Sequence, residues 1–272
     1  MNIYYPSKES LEGVTHMCIA AHQDDIEIMA YAPISECYGS EENAFVGVVA
    51  TDGAGSPRTG EFADFTNEQM MEIRVKEQQQ AADIGKYRAA IQLGFPSSAV
   101  KNPENDEPVQ AIYDLLMQIK PKHLYTHNLA DKHDTHTSVA LRTVEAVKRM
   151  PKELRPETFT ALEVWRSLDW LPDTDKVCLD TAKYPEVARE LLTVHRSQVA
   201  GGKRYDNAAI GRRFANATFF ASHDTDECIS MNFGLDLMPL VDGNMTPIEF
   251  INGYIEKFRG EVVSTLERLW KK

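Results

Sequence analysis

The sequence lacks three features that would place it in common classes of protein. No window approaches the roughly 20 consecutive apolar residues that a membrane-spanning helix needs. The first residues do not show a basic segment followed by an apolar one, so we predict no signal peptide. Lys and Arg number 29 against 41 Asp and Glu, a formal net charge of −12, whereas nucleic-acid surfaces need basic patches. We therefore expect no membrane span and no nucleic-acid partner.

Cysteines are also few and unpaired in their spacing. The four of them stand at positions 18, 37, 178 and 228 and form no Cys-x-x-Cys pair. Regular or close spacings are typical of disulfide frameworks and of many structural zinc sites. We therefore expect reduced thiols in a cytoplasmic protein, although an exported protein stays compatible with this pattern.

Short apolar runs alternate with longer amphipathic segments along most of the chain. We predict strands at residues 17–21, 43–50, 89–93, 123–127, 161–165 and 176–179. Predicted helices cover residues 26–37, 66–86, 109–119, 137–150, 184–198 and 248–270, and residues 201–226 are polar and irregular in places. Strands that alternate with helices of this length predict βαβ units, a mainly parallel sheet and hence an α/β fold. We expect a single domain, 1–272, with a core at about 12–200 and a C-terminal elaboration at 201–272.

The first polar cluster directly follows the first predicted buried strand. His22, Asp24 and Asp25 come after the apolar residues 17–21. Ligands of open α/β sheets bind beyond the carboxyl ends of the strands. His22 and Asp25 are therefore candidate nitrogen and oxygen ligands of one Zn²⁺. Asp24, between them, would be free to handle protons.

A second polar cluster follows the predicted strand at 123–127. His133 and His136 stand three residues apart where that strand passes into a helix, and we expect them at the same end of the sheet. The two clusters together supply two imidazoles and a carboxylate for a metal, with a fourth position left for water. Catalytic zinc sites have this composition.

Less specific interpretations of the same residues are also open. His22 with two aspartates can be a strand end and a solvated helix N-cap, which favours Asp. Arg74 and Glu77 lie one helical turn apart and can form an ordinary ion pair. We interpret His16, His123 and His223 as structural.

The motifs resemble those of the LmbE-like (PIG-L) de-N-acetylases. Residues 21–27 (Ala-His-Gln-Asp-Asp-Ile-Glu) resemble the family's Ala-His-Pro-Asp-Asp signature, and residues 133–136 (His-Asp-Thr-His) its His-Pro-Asp-His. Residues 74–77 (Arg-Val-Lys-Glu) and 195–198 (His-Arg-Ser-Gln) resemble its Arg-x-x-Glu and His-x-Ser-Gln. The four motifs occur in the family's order and cover roughly residues 14–200.

The resemblance implies a Rossmann-like three-layer fold and zinc-dependent removal of an acetyl group from an amino sugar such as N-acetylglucosamine. Carried over by position, the metal ligands would be His22, Asp25 and His136. Asp24 would be the general base and His133 would stabilise or protonate the intermediate. Arg74 would hold the substrate. Fe²⁺ or another divalent ion could replace zinc at such a site.

Two positions depart from the family's pattern. Gln23 stands where the family usually has proline, and we expect this change to be tolerated. Thr135 stands where the second cluster usually has an aspartate that orients the neighbouring imidazole. Asp134 is the adjacent carboxylate that could substitute for it.

Two other functions compete with a deacetylase. A metal-dependent phosphoesterase would also use acidic residues at strand ends, but no glycine-rich loop with an adjacent lysine is present to bind phosphate. A catalytically degenerate homologue could bind a sugar or a metal without turnover. We expect a small-molecule N-acyl amino sugar as partner, and a homo-oligomer is compatible with the exposed faces of the C-terminal helix.

Overall fold

One eight-stranded sheet organises the computed structural model, which describes residues 1–200 and 203–270. The strands are β1 Asn2–Tyr4, β2 His16–Ala20, β3 Phe45–Thr51, β4 Ala89–Phe95, β5 His123–His127, β6 Thr158–Leu162, β7 Val177–Asp180 and β8 Met231–Asp236. Their order across the sheet is β1-β4-β3-β2-β5-β6-β8-β7. The central strands β4, β3, β2, β5 and β6 run parallel, whereas β1, β8 and β7 pair antiparallel. The predicted α/β fold with a mostly parallel sheet is therefore confirmed.

Helices cover both faces of this sheet and make a three-layer sandwich. They are α1 Asp25–Met29, α2 Tyr31–Cys37, α3 Asn67–Gly85, α4 Ser97–Lys101, α5 Glu107–Ile119, α6 Asp134–Arg149, α7 Pro185–Thr193, α8 Arg196–Val199, α9 Tyr205–Phe219, α10 Met238–Asp242 and α11 Pro247–Leu269. Apolar side chains of α5, α6 and α10 form a core on one face, and those of α1, α2 and α7 form a second core on the other.

The central strand β2 shows why its sequence is apolar throughout. Met17 and Ile19 point into the first core, and Cys18 and Ala20 point into the second. A strand buried on both faces needs apolar residues at every position instead of at alternate ones. The continuous apolar run in the sequence therefore correctly predicted a central strand.

Two predicted helices are each broken into a pair. The helix predicted at 26–37 stops at Met29 and restarts at Tyr31, because Pro33 has no amide hydrogen and its ring would clash inside a continuous helix. The helix predicted at 184–198 breaks before His195, which precedes the four-residue helix α8. Glu77 accepts hydrogen bonds from Ser197 N and Oγ at 2.7 and 2.6 Å and so fixes the start of α8.

The stretch 201–226, predicted to be polar and irregular in places, contains a helix that was not predicted. Residues 205–219 form α9, while residues 201 and 202 lie outside the described part of the chain. Strand β8 was not predicted, although it lies within the sheet between β6 and β7. Strand β1 and helices α4 and α10 were also missed. The antiparallel edge strand at 176–179 is confirmed as β7.

The C-terminal helix predicted at 248–270 is confirmed as α11. Its apolar residues Ile255, Phe258, Val262 and Leu266 are exposed, and Phe250 is its buried residue. A homo-oligomer that covers this helix stays a prediction. Within residues 1–200 and 203–270, no helix is both long enough and apolar enough to span a bilayer.

Gly85 is constrained by packing and not by its backbone conformation. The left-handed residue that ends α3 is Lys86, with φ of 52°, and not Gly85 as a glycine end signal suggests. A Cβ on Gly85 would lie 2.3 Å from Cε1 of Tyr87. The Tyr87 ring cannot easily move, because it is buried and its hydroxyl donates to Glu27 at 2.8 Å.

We therefore predict that Gly85→Ala lowers the free energy of unfolding by about 2 kcal/mol through overpacking. Gly253→Ala is the matched control, since Gly253 lies in α11 with open space around it. The control should stabilise the protein by roughly 0.5–1 kcal/mol, because alanine loses less backbone entropy than glycine in a helix. Urea denaturation of both variants measures the two shifts, and an equal effect at both positions would contradict this packing argument.

Candidate metal centre

The pairing of β2 with β5 brings the two polar clusters together. The strands are parallel neighbours, with Ile19 opposite Thr126, so the segments that follow them leave the sheet at the same edge. His127, the last residue of β5, accepts a hydrogen bond from Ala21 N at 2.8 Å through its Nε2. The predicted convergence of residues 22–25 with residues 133–136 is therefore observed.

Three side-chain atoms from these segments form a compact triangle. His22 Nδ1 lies 3.1 Å from Asp25 Oδ2 and 3.2 Å from His136 Nε2. His136 Nε2 lies 3.2 Å from the same Asp25 oxygen. Ligands bonded at ~2.0 Å in a tetrahedral zinc site are about 3.3 Å apart. Two imidazole nitrogens and one carboxylate oxygen thus have the spacing and the chemistry of three zinc ligands, and the triangle leaves a further position open.

A second triad also has the composition of a metal site, and sequence reasoning missed one of its members. Asp25, His127 and His136 are all buried, and their ligand atoms lie within 4.8 Å of one another. His127 Nε2, however, already accepts the Ala21 amide and lies 3.6 Å from Asp25 Oδ2. Because its lone pair is engaged, His127 supports the cluster by packing, with its ring centroid 4.0 Å from that of His136.

The charges around His136 favour a cation between them. Burial lowers the pKa of His136, but the carboxylates of Asp25 and Asp131 outweigh it and raise that pKa to about 9. Burial raises the pKa of Asp25, and the neighbouring imidazoles outweigh it and hold the pKa well below its usual value. A divalent cation is therefore favoured at a position where the protein otherwise attracts a proton.

Asp131 fixes the orientation of His136. Its Oδ2 lies 3.1 Å from His136 Nδ1, which leaves Nε2 directed at the triangle. A carboxylate on the other ring nitrogen is the usual support of a metal-binding histidine. Asp131 is itself held by the backbone amides of Lys132 and Arg166, at 2.6 and 3.1 Å. The sequence offers one signal for this role of Asp131, namely a carboxylate in the loop five residues before His136. Sequence reasoning missed it.

Asp134, which could have substituted for the aspartate missing at position 135, orients no histidine in the described chain. Asp134 begins α6 and is exposed, and none of the hydrogen bonds of the described residues joins it to a histidine. His133 Nδ1 is buried without a hydrogen-bond partner among the described residues. The orienting carboxylate therefore serves His136, while His133 has none.

Asp24 lies beside the triangle in a strained backbone conformation. Its φ is 99°, a region that costs a residue with a side chain roughly 1–3 kcal/mol. The turn places its carboxylate in a cavity of about 450 Å³ that is also lined by His22, Asp25, His133 and His136. Burial raises the pKa of Asp24 to about 6, against the opposing effect of Arg74. A carboxylate with this position and pKa is suited to accept a proton.

Arg74 contacts Asp24 and not Glu77. Its Nη2 donates to Asp24 Oδ1 at 2.9 Å and to Gln23 O, and its Nη1 donates to Ser56 Oγ. The guanidinium is buried, although Arg74 also lines the cavity. The ordinary ion pair between residues 74 and 77 is therefore absent, and both hydrogen bonds from Arg74 Nη2 go to the loop that carries Asp24.

His133 also lines this cavity. Its ring meets the His22 ring edge-on with centroids 5.1 Å apart, and it stacks on Trp165 at 6.4 Å. Burial lowers the pKa of His133. The imidazole is thus near the predicted ligand set without belonging to the triangle.

A buried hydrogen-bond network holds α1 in place through Glu27. Glu27 is completely buried, and it accepts hydrogen bonds from Gln78 Nε2 at 2.9 Å and Tyr87 Oη at 2.8 Å. His195 Nε2 lies 3.0 Å from its second oxygen. The glutamate of the first motif and the histidine of the late motif are therefore in contact in the interior, which their sequence separation did not reveal.

We predict that Asp131→Asn weakens zinc affinity by roughly 10–100-fold, because an amide cannot supply the negative charge that orients and polarises His136. The matched control is Asp134→Asn, three residues along the same segment, which should leave affinity unchanged. Competition against a chromophoric chelator measures both variants. Equal affinities in the two variants would exclude Asp131 as the support of a metal ligand.

Comparisons with known proteins agree with this fold. The sequence model of the family described as PIG-L, GlcNAc-PI de-N-acetylase, matches residues 17–147. The conserved protein TT1542 from Thermus thermophilus superimposes with a TM-score of 0.65 at 17% identity over 86% of this chain and 98% of its own. N,N'-diacetylchitobiose deacetylase from Pyrococcus horikoshii gives 0.66 at 15% identity over 86% of this chain and 87% of its own.

A third structure with this fold carries a different name. The 4-carboxy-2-hydroxymuconate hydratase from Pseudomonas putida has a TM-score of 0.60 at 15% identity, covering 86% of this chain and 100% of its own. Comparison with curated protein sequences finds no significant match. The structural likenesses show the fold, and the reaction has to be argued from the residues of the site.

Proposed function

Because the chain belongs to the PIG-L / LmbE-like deacetylase family, we propose that it is a metal-dependent hydrolase that removes the N-acetyl group from an N-acetylglucosamine-type amino sugar or its conjugate. The observation that carries this proposal is the triangle of His22, Asp25 and His136 with the Asp24 carboxylate beside it. These groups line one cavity that is large enough for a sugar ring.

His22, Asp25 and His136 would hold the ion, and Asp24 would accept and donate the proton. When bound there, zinc would polarise the amide carbonyl and lower the pKa of water. Asp24 faces the same cavity without belonging to the triangle, so its carboxylate can take a proton from the attacking water. Once protonated, Asp24 can pass that proton to the leaving amine as the C–N bond breaks.

Arg74 and His133 have separate supporting roles in this proposal. Arg74 holds the Asp24 carboxylate in place through Nη2, so we assign it to positioning the base in place of the expected hold on substrate. His133 lines the cavity and can donate an N–H to the oxyanion that develops on the carbonyl oxygen. Because Thr135 brings no carboxylate to His133, we assign the proton transfer to Asp24.

The direct test is amine release from N-acetylglucosamine, its methyl glycoside and N,N'-diacetylchitobiose. The protein is stripped with a chelator and then reconstituted with Zn²⁺ or Fe²⁺. We expect one of the ions to restore hydrolysis of at least one of these N-acetyl compounds. Stoichiometric metal binding without any amine release would instead support the catalytically degenerate homologue.

Asp24→Asn separates catalysis from metal binding. The amide is nearly isosteric but cannot accept the proton, so we predict that kcat falls by roughly 10²–10⁴-fold while zinc stays bound. His136→Ala is the contrasting variant, since it removes a ligand atom and should lose both metal and activity. Metal content by atomic emission and initial rates measure the two effects. Undiminished turnover in Asp24→Asn would exclude Asp24 as the base.

A further inference from the structure

A second, smaller cleft adjoins the candidate catalytic cavity. It has a volume of about 250 Å³, and its lining includes Ile28, Val164, Trp165, Tyr205, Ala208 and Ala209. The two cavities share residues, among them Trp165 and Tyr205, so the cleft is continuous with the site at which we place the N-acetyl group. A substrate that occupies the catalytic cavity can therefore extend into this cleft.

The boundary between the two spaces is aromatic. Trp165 stacks on His133 with an interplanar angle of 17°, and Tyr205 meets the Trp165 ring edge-on with centroids 5.9 Å apart. Both rings line the cleft, and burying aromatic surface against another ring is favourable. The cleft is therefore suited to a planar substituent attached to the sugar.

Three cations line the cleft, and two of them, Lys203 and Arg212, form no salt bridge within the described chain. Arg204 Nη2 is paired with Asp206 at 2.6 Å, and Arg212 Nη1 donates to Val164 O. Lys203 is exposed, and its Nζ lies 5.2 Å from the centroid of the Trp165 ring. Within residues 1–200 and 203–270, no salt bridge joins Lys203 to an acid. A positive charge is thus available at the aromatic wall of a protein whose formal net charge is −12.

The lining argues against a second sugar ring in this cleft. Apart from the Tyr205 hydroxyl, the Trp165 indole N–H and the three cations, none of its described lining residues carries a polar side-chain group. Asn, Gln, Asp and Glu, whose side chains accept or exchange hydrogen bonds with hydroxyl groups, are missing from it. Among the described lining residues, a sugar would find the Tyr205 hydroxyl as its one strong side-chain acceptor, and hydroxyl donors left unpaired in the cleft cost free energy.

We propose that this cleft binds the aglycone of the substrate, and that this aglycone is a single aromatic ring carrying an anionic group. The proposal rests on the proposed deacetylase function, because it places the sugar in the neighbouring cavity. The ring packs against Trp165, Tyr205 and Ala208, and the anion meets Lys203. The volume fits, since an apolar cavity of about 150 Å³ already admits benzene.

The first experiment compares kcat/KM for three β-glycosides of N-acetylglucosamine, with methyl, phenyl and 4-carboxyphenyl aglycones, and for N,N'-diacetylchitobiose. We expect the 4-carboxyphenyl glycoside to exceed the methyl glycoside by at least about tenfold, with phenyl in between and chitobiose no better than methyl. Equal values for the three glycosides, or a preference for chitobiose, would overturn the proposal.

Two variants test which residues create this preference. Ala208→Trp fills the cleft and should abolish the advantage of both aryl glycosides over the methyl glycoside. Asn207→Trp is its matched control, because Asn207 is the exposed neighbour on α9 outside the cleft lining, and it should keep the wild-type preference. Lys203→Gln should remove the advantage of 4-carboxyphenyl over phenyl and leave that of phenyl over methyl. An unchanged ranking in Ala208→Trp and Lys203→Gln would overturn the proposal.

A binding measurement separates this proposal from the proposed function. Isothermal titration of 4-carboxyphenyl and methyl β-N-acetylglucosaminide into the zinc-loaded Asp24→Asn protein does not depend on turnover. Tighter binding of the aryl glycoside that is lost on adding Ala208→Trp supports the cleft even if wild type hydrolyses nothing, in which case only the deacetylase proposal fails. Hydrolysis by wild type without any difference in affinity between the two glycosides overturns the cleft alone.

Discussion

The site depends on the parallel pairing of β2 with β5. Each strand ends in a turn that carries one half of the polar cluster, and the register places both turns at one edge of the sheet. His127 strengthens this link, because its Nε2 accepts the amide of Ala21 across the two strands. A shift of that register by one residue would reverse the faces of all side chains in the strand. The triangle of ligand atoms would then no longer form.

Concentrating polar groups at this edge costs free energy that the surroundings offset. Asp24 has an unfavourable φ, and Asp25, Glu27 and Glu77 are buried carboxylates. Each has partners: Arg74 pairs with Asp24, imidazoles surround Asp25, Tyr87 and Gln78 donate to Glu27, and Ser197 donates to Glu77. Removing one partner of a buried charge destabilises far more than the pair stabilises. Backbone strain and buried charges that the surrounding residues hold in place are typical of preorganised functional sites.

The sequence predicted those parts of the fold in which local pattern and burial agree. The apolar run of β2 and the helix signals of α5 are unambiguous, because their neighbours in the fold are apolar. Helix α9 was missed because Arg213 is one of its buried residues: the guanidinium packs over Tyr31 and donates to Glu27 O, so burial there is not marked by an apolar residue. Strand β8 contains Gly234, which reads as a break in sequence. In the sheet a Cβ at that position would lie 2.5 Å from Thr160 Cγ2, so glycine is required by a close contact between strands.

The chemistry of the site could be predicted where it depends on residue type and spacing. It could not be predicted where it depends on contacts between segments that are distant in sequence. His22, Asp25 and His136 meet as the two clusters imply. The support of His136 by Asp131, and the commitment of Arg74 to the Asp24 loop, depend on side-chain directions that no spacing encodes. For the same reason the network of Glu27 with His195 joins residues that are 168 positions apart.

The most direct test of this account is an anomalous difference map at the zinc edge from crystals of the zinc-loaded protein. We expect a single strong peak at this end of the sheet, about 2.0–2.2 Å from His22 Nδ1, Asp25 Oδ2 and His136 Nε2. The Asp24 carboxylate should lie outside the set of ligands. A peak coordinated by His127, or by His22, His133 and His136 without Asp25, would contradict the assignment of the ligands.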